Sequence, residues 1–112
     1  MKQEVKNLTE KLMRDIGRND RGLQEYLNES LSPESDNYIK SHATIINMRV
    51  HGKAPNTDLL EDILSVYPVS DRRFHFALMM LALKKPHVWG FEGLVWRLKS
   101  SRLYRGEQRS GR

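Results

Sequence analysis

A chain of 112 residues is long enough to bury one hydrophobic core and too short for two independent ones. Hydrophobic residues make up 38% and charged residues 29%, with two Trp, four Tyr and three Phe to anchor packing, which excludes wholesale disorder. The absence of cysteine excludes a disulfide framework, a thiolate metal site and a cysteine nucleophile, and the net charge of +5 points toward polyanionic partners.

Met1 is followed by charged and polar residues rather than an apolar signal core, and the longest apolar run, Phe76 to Leu83, is only eight residues. A cytoplasmic location is expected, or a nuclear one in a eukaryotic host. Residues 3–17 place Val5, Leu8, Leu12, Met13 and Ile16 at helical spacing, and Gly17 supplies a stop. Asn19 or Asp20 caps a second helix, whose apolar stripe is Leu23, Tyr26, Leu27 and Leu31 and whose end is expected near Ser30 to Leu31.

Ser32-Pro33-Glu34 reads as a helix start, with Ser as cap, Pro where its missing N–H costs nothing, and an acid against the positive end of the dipole. The third helix is predicted from Pro33 to about His51, stopped by Gly52, with Ile39, Ala43, Ile46 and Val50 on its buried face. The β-branched run Thr44-Ile45-Ile46 leaves a second arrangement open, two shorter helices with a break near residues 40–42. Asn56-Thr57-Asp58 caps a short helix carrying Leu59, Leu60, Ile63, Leu64 and Val66, ended by Tyr67-Pro68. Ser70 is read as the cap of a helix from Asp71 to Lys85, with Phe74, Ala77, Leu78, Leu81 and Ala82 toward the core and Pro86 as terminator.

A last helix is predicted from Pro86 to Leu103. Val88, Phe91, Val95 and Leu98 form one stripe and Trp89 and Trp96 another, so the helix is either deeply buried or part of a protein interface. No strand-like alternation or internal repeat competes. The fold class is therefore all-α, a compact bundle of five or six helices spanning residues 1–103, followed by a disordered basic tail, residues 104–112.

No catalytic or cofactor signature emerges. His42, His51, His75 and His87 lack zinc-site spacing, the seven glycines form no phosphate cradle, and Glu61-Asp62 belongs to a solvated helix face. The chain is not read as an enzyme, and no metal or small cofactor is required. Asn7-Leu8-Thr9 and Asn28-Glu29-Ser30 match the glycosylation pattern inside predicted helices and are read as chance matches.

Charge is the sharper signal. Residues 1–96 carry 13 basic and 13 acidic side chains, whereas residues 97–112 carry Arg97, Lys99, Arg102, Arg105, Arg109 and Arg112 against Glu107 alone, so the whole +5 lies in the last sixteen residues. Five of these six cations are arginine, the side chain suited to gripping phosphate in bidentate fashion. A solubilising terminus without a specific partner is the other reading of the same charge.

A second candidate is the polar side of the third helix, where Lys40, Thr44, Asn47 and His51 fall at i, i+4, i+7 and i+11. Between Asn37 and Thr57 there is no acid, while Lys40, Arg49 and Lys53 add positive charge. Such a face suits contact with phosphates or base edges, and it equally suits the solvated side of an amphipathic helix. The stretch Ala43-Thr44-Ile45-Ile46-Asn47-Met48-Arg49-Val50-His51-Gly52-Lys53-Ala54-Pro55, followed by Thr57-Asp58-Leu59-Leu60-Glu61-Asp62-Ile63-Leu64, resembles the recognition-helix exit of phage-repressor-type helix-turn-helix regulators. The resemblance implies DNA binding and transcription regulation, with Lys40, Thr44 and Asn47 as matching recognition-helix residues. Trp89 and Trp96, with Phe91, are read as packing or subunit-interface residues, or as a stacking platform for bases.

The expected function is nucleic-acid binding, DNA favoured over RNA, by a small regulatory or accessory protein. The alternative is a helical adaptor or subunit that binds a protein partner, or a second copy of itself, through its apolar C-terminal helix.

Overall fold

The computed structural model describes residues 1–89, apart from the Trp89 side chain; residues 90–112 lie outside the described residues. These form six helices: α1 (Lys2–Ile16), α2 (Asp20–Asn28), α3 (Ala43–Arg49), α4 (Thr57–Val66), α5 (Arg72–Lys84) and α6 (Pro86–Trp89). The all-helical reading holds among the described residues, with no strand there. Helix α5 is the central element, packing against α1 and α4, while α3 packs against α1 and α2.

Helix α1 buries Val5, Thr9 and Leu12, spaced four and three residues apart, on one face. The Thr9 hydroxyl can enter that face because it donates to the Val5 carbonyl one turn back, at 2.8 Å. Gly17 ends the helix at φ 64°, and its N–H and that of Arg18 both return to the Met13 carbonyl. Helix α2 is capped by Asn19, whose side chain accepts from the Gly22 N–H at 2.9 Å, and it buries Leu23 and Leu27.

Helix α2 stops at Asn28, slightly before the predicted end. Its terminal carbonyls find partners elsewhere: the Tyr67 hydroxyl donates to Leu27 O at 2.7 Å and accepts from the Ser30 N–H at 2.9 Å, and Arg73 donates to Tyr26 O at 2.7 Å. With those carbonyls taken, nothing favours another helical turn.

The segment predicted as the first half of the third helix is not helical. Two successive i to i+3 turns, Ser35 N–H to Ser32 O and Tyr38 N–H to Ser35 O, lead into an irregular stretch, and helix begins only at Ala43. The chain does break near residues 40–42, but turns rather than a helix precede the break. The cause is Asn28. Its buried amide donates to the Ile39 carbonyl and its oxygen accepts the Ile39 N–H, both at 2.9 Å, while Gln24 donates to the same carbonyl at 2.9 Å. These bonds give Ile39 the partners a helix would have supplied.

Once Ile39 leaves the helix, the phase of α3 changes. Ile45 and Met48 are its buried residues, Ile46 is half-buried, and Ala43 and Val50, both predicted as core, are exposed. Ile39 is buried as predicted, from the irregular stretch. We expect Asn28→Ala to lower stability by about 2 kcal/mol in urea unfolding, because both backbone groups of a buried Ile39 lose Asn28 as a partner. A loss under about 0.5 kcal/mol, the range of ordinary surface substitutions, would refute this account.

Gly52 follows α3 at φ 63°, and the Lys53 N–H closes the turn on the Asn47 carbonyl at 2.9 Å. Helix α4 buries Leu59, Leu60 and Ile63. The cap of α5 is Asp71, one residue beyond the predicted Ser70; its carboxylate accepts from the Arg73 N–H at 2.8 Å, a stronger interaction than a serine hydroxyl offers. Helix α5 buries Phe74, Ala77, Leu78 and Leu81 as predicted, and also Phe76 and Met80, because it is covered on more than one side; Ala82 is half-buried. Pro86 ends one helix and opens the next, of which Pro86–Trp89 is described; the remainder of the predicted last helix and the predicted tail lie outside the described residues.

Candidate nucleic-acid interface

The polar face predicted for the third helix is divided by its shortened boundaries. Thr44 and Asn47 share one side of α3 and are half-buried, Lys40 is exposed ahead of the helix, and His51 and Lys53 are exposed in the turn after it. Arg49 faces Asp20 in a two-pronged ion pair, at 2.7 and 2.8 Å. The hydrogen bonds from Arg49 hold the Asp20 carboxyl below its usual range, and Asp20 in turn raises the guanidinium. Arg49 thus ties α3 to α2 across the bundle. Arg97, Lys99, Arg102, Arg105 and Arg109, with Phe91 and Trp96, lie outside the described residues, as does the Trp89 side chain.

Three segments meet at one end of the bundle. The Gly52 backbone lies against the Lys2 backbone, and Lys84 donates to the Pro55 carbonyl at 2.7 Å, so the start of α1, the turn 50–55 and the end of α5 are neighbours. Burial, together with the charge of Lys85, lowers the Lys84 pKa. Lys2, His51, Lys53 and Lys85 are exposed at this end, while the acid Glu4 is engaged by the terminal ammonium at 3.1 Å. Asp58, exposed in the first turn of α4, is the nearest acid along the chain to Lys53. Helix α5 ends here, and α6 follows directly.

A second charged cluster is assembled by tertiary packing. The Arg73 guanidinium sits 4.1 Å from the Tyr26 ring centroid and 3.8 Å from that of Tyr67, and donates to both Asp71 oxygens, to Glu29 at 2.7 Å and to Tyr26 O. Only the Asp71-Arg72-Arg73 spacing hints at it, as a cap with a nearby arginine; the tyrosines come from far along the chain. Two rings and four hydrogen bonds engage this guanidinium, which makes it a clamp between α5 and the end of α2 rather than an anion site.

The Arg73 hydrogen bonds hold the Asp71 carboxyl below its usual range. A depressed folded-state pKa gives stability that is present above the unfolded value and lost as pH falls through the folded one. We therefore expect Asp71→Asn to be less stable than the parent at neutral pH, with the difference shrinking as pH drops below about 4, the ordinary Asp value. A difference in unfolding free energy that stayed constant from neutral to acid pH would contradict this.

Both glycosylation-pattern matches are engaged in structure: Thr9 is buried on its own helix and Asn28 is buried on Ile39. Among the described residues no buried side-chain nitrogen or oxygen lacks a hydrogen-bond partner, no group of three metal-ligating side chains occurs, and no helix is long and apolar enough to cross a membrane. No protein-family model, curated protein or solved structure matches this chain.

Proposed function

We propose that this protein binds nucleic acid, with DNA the favoured class over RNA, as a small cytoplasmic regulatory or accessory protein. The observation that carries the reading is the separation of charge: a body that balances to zero over residues 1–96 and a +5 excess confined to residues 97–112. The exposed cations Lys2, Lys53 and Lys85 support it, because they stand on the three segments that meet where α5 ends. The Arg-rich segment supplies attraction to phosphate regardless of sequence; Lys40, Thr44 and Asn47 are the groups of the body that offer discrimination.

The deciding experiment is a salt-titrated binding assay of the full chain against duplex DNA, single-stranded DNA and RNA. Binding that weakens steeply with salt is the expected result, and no binding at low salt would sink the proposal. An adaptor role is the second reading. Met79 on α5 and Val88 on α6 favour it, at 48% and 42% exposure, because both are large apolar side chains left in water.

A further inference from the structure

An open cleft of about 880 Å³ runs along α2, between that helix and the segment 33–42. Its α2 wall carries Arg21, Gln24 and Glu25, and its other wall carries Tyr38, Lys40 and His42. The Asn28 and Gln24 bonds to Ile39 join the two walls and fix their register, since Ile39 must lie level with the middle and last turns of α2. From there the chain runs into α3, whose Arg49 reaches Asp20 at the start of α2.

The chemistry along the cleft is graded. Arg21 at the start of α2 and Lys40 and His42 on the facing wall are all exposed, and the neighbouring acid Asp20 is already bound by Arg49. Gln24 and Glu25 follow, as donor and acceptor. The far end is Leu31 and Pro33, and the acid there, Glu29, is bound by Arg73. The half-buried Tyr38 stands in the second wall, beside Ile39.

We propose that this cleft takes one unpaired nucleotide of a single strand, with its phosphate among Arg21, Lys40 and His42 and its base against the Tyr38 ring. A nucleotide presents phosphate, polar sugar and base edge, and apolar base face in that same order. A base in a duplex has its faces covered by neighbours, so only an unpaired strand can offer one to an aromatic ring. The inference rests on the nucleic-acid reading and narrows it to single strands at this cleft.

The test has two arms on the full chain. In the first, AMP is titrated to millimolar concentration and backbone amide resonances are followed by NMR; perturbations should centre on residues 21–25 and 38–42. In the second, fluorescence anisotropy compares a labelled single strand with its duplex at one salt concentration. Tyr38→Leu should weaken single-strand binding about tenfold, the scale of one lost base stack, and leave duplex binding unchanged. Leucine keeps an apolar body at the half-buried position. Lys40→Glu and Arg21→Glu, at exposed positions, should each reduce the AMP perturbations in a protein whose thermal melt is unaltered.

Failure of every oligonucleotide to bind at low salt removes the parent reading and this one with it. Oligonucleotide binding without AMP perturbations in the cleft, or with equal effects of Tyr38→Leu on single strand and duplex, overturns the cleft alone.

Discussion

Gly52→Ala is expected to lower the unfolding free energy by about 3–4 kcal/mol. Two independent costs combine. The backbone at Gly52 has φ 63°, a left-handed conformation that costs an L-residue about 1–2 kcal/mol. A Cβ there would also collide with the Lys2 carbonyl oxygen and stand 2.8 Å from the Lys2 Cα. These are backbone atoms, which cannot swing away as a side-chain tip can, so the start of α1 must shift. Overpacking of this kind costs about 1–3 kcal/mol, and α1 carries the buried Val5, Thr9 and Leu12 into the core.

Gly17 provides the control, with φ 64° and nothing within 4 Å of its Cβ position. Gly17→Ala should therefore show the conformational cost alone, about 1 kcal/mol. Asparagine, which tolerates this conformation, should recover stability at 17 and not at 52. Urea unfolding of the four variants measures the difference, and equal losses at the two sites would show that the contact with Lys2 carries no weight. The site matters beyond stability because that contact sets Lys2 beside the turn bearing His51 and Lys53.

The elements that sequence reading placed well are those whose signals are local. Val5, Leu8 and Leu12 repeat at helical spacing, Asn19 caps three residues before Gly22, and Gly17 and Gly52 mark stops that their positive φ confirms. The third helix failed for a non-local reason. Ser32-Pro33-Glu34 is a sound helix start by local criteria, yet Asn28 reaches across eleven residues to Ile39 and supplies backbone partners that no periodicity can announce. That one interaction also explains the wrong face, since a stripe drawn through Ile39 as helical put Ala43 and Val50 inward and left out Ile45 and Met48.

Charge was legible as a sum and illegible as a set of pairs. Arg49 reads as one of three cations in an acid-free stretch, but its partner Asp20 lies in another helix. Arg73 reads as an ordinary first-turn arginine, whereas Tyr26, Glu29 and Tyr67 arrive around it only through tertiary packing. The surplus in residues 97–112 needs no structure to be counted, and it survives these pairings among the described residues because Arg49 and Arg73 belong to the balanced body.

That surplus makes the second large effect. If Arg97, Lys99, Arg102, Arg105, Arg109 and Arg112 each neutralise one phosphate, six counterions leave a duplex on binding, and log affinity falls with log salt at a slope of about −5. Raising salt from about 50 to about 200 mM then costs the parent chain about a thousandfold in affinity. A variant with all six changed to glutamine should bind duplex DNA far more weakly at low salt and lose most of that slope, because the remaining body carries no net charge. Glutamine is shorter than arginine or lysine but stays polar, so the charge is removed while the apolar residues of the segment remain. A deletion would also take away Leu98, Leu103 and Tyr104 and mix apolar effects into the result. If the six-site variant kept both the affinity and the slope of the parent, the Arg-rich segment would have no part in binding, and the contacts would have to come from the body, with Lys2, Arg21, Lys40, Lys53 and Lys85 among the exposed cations to change next.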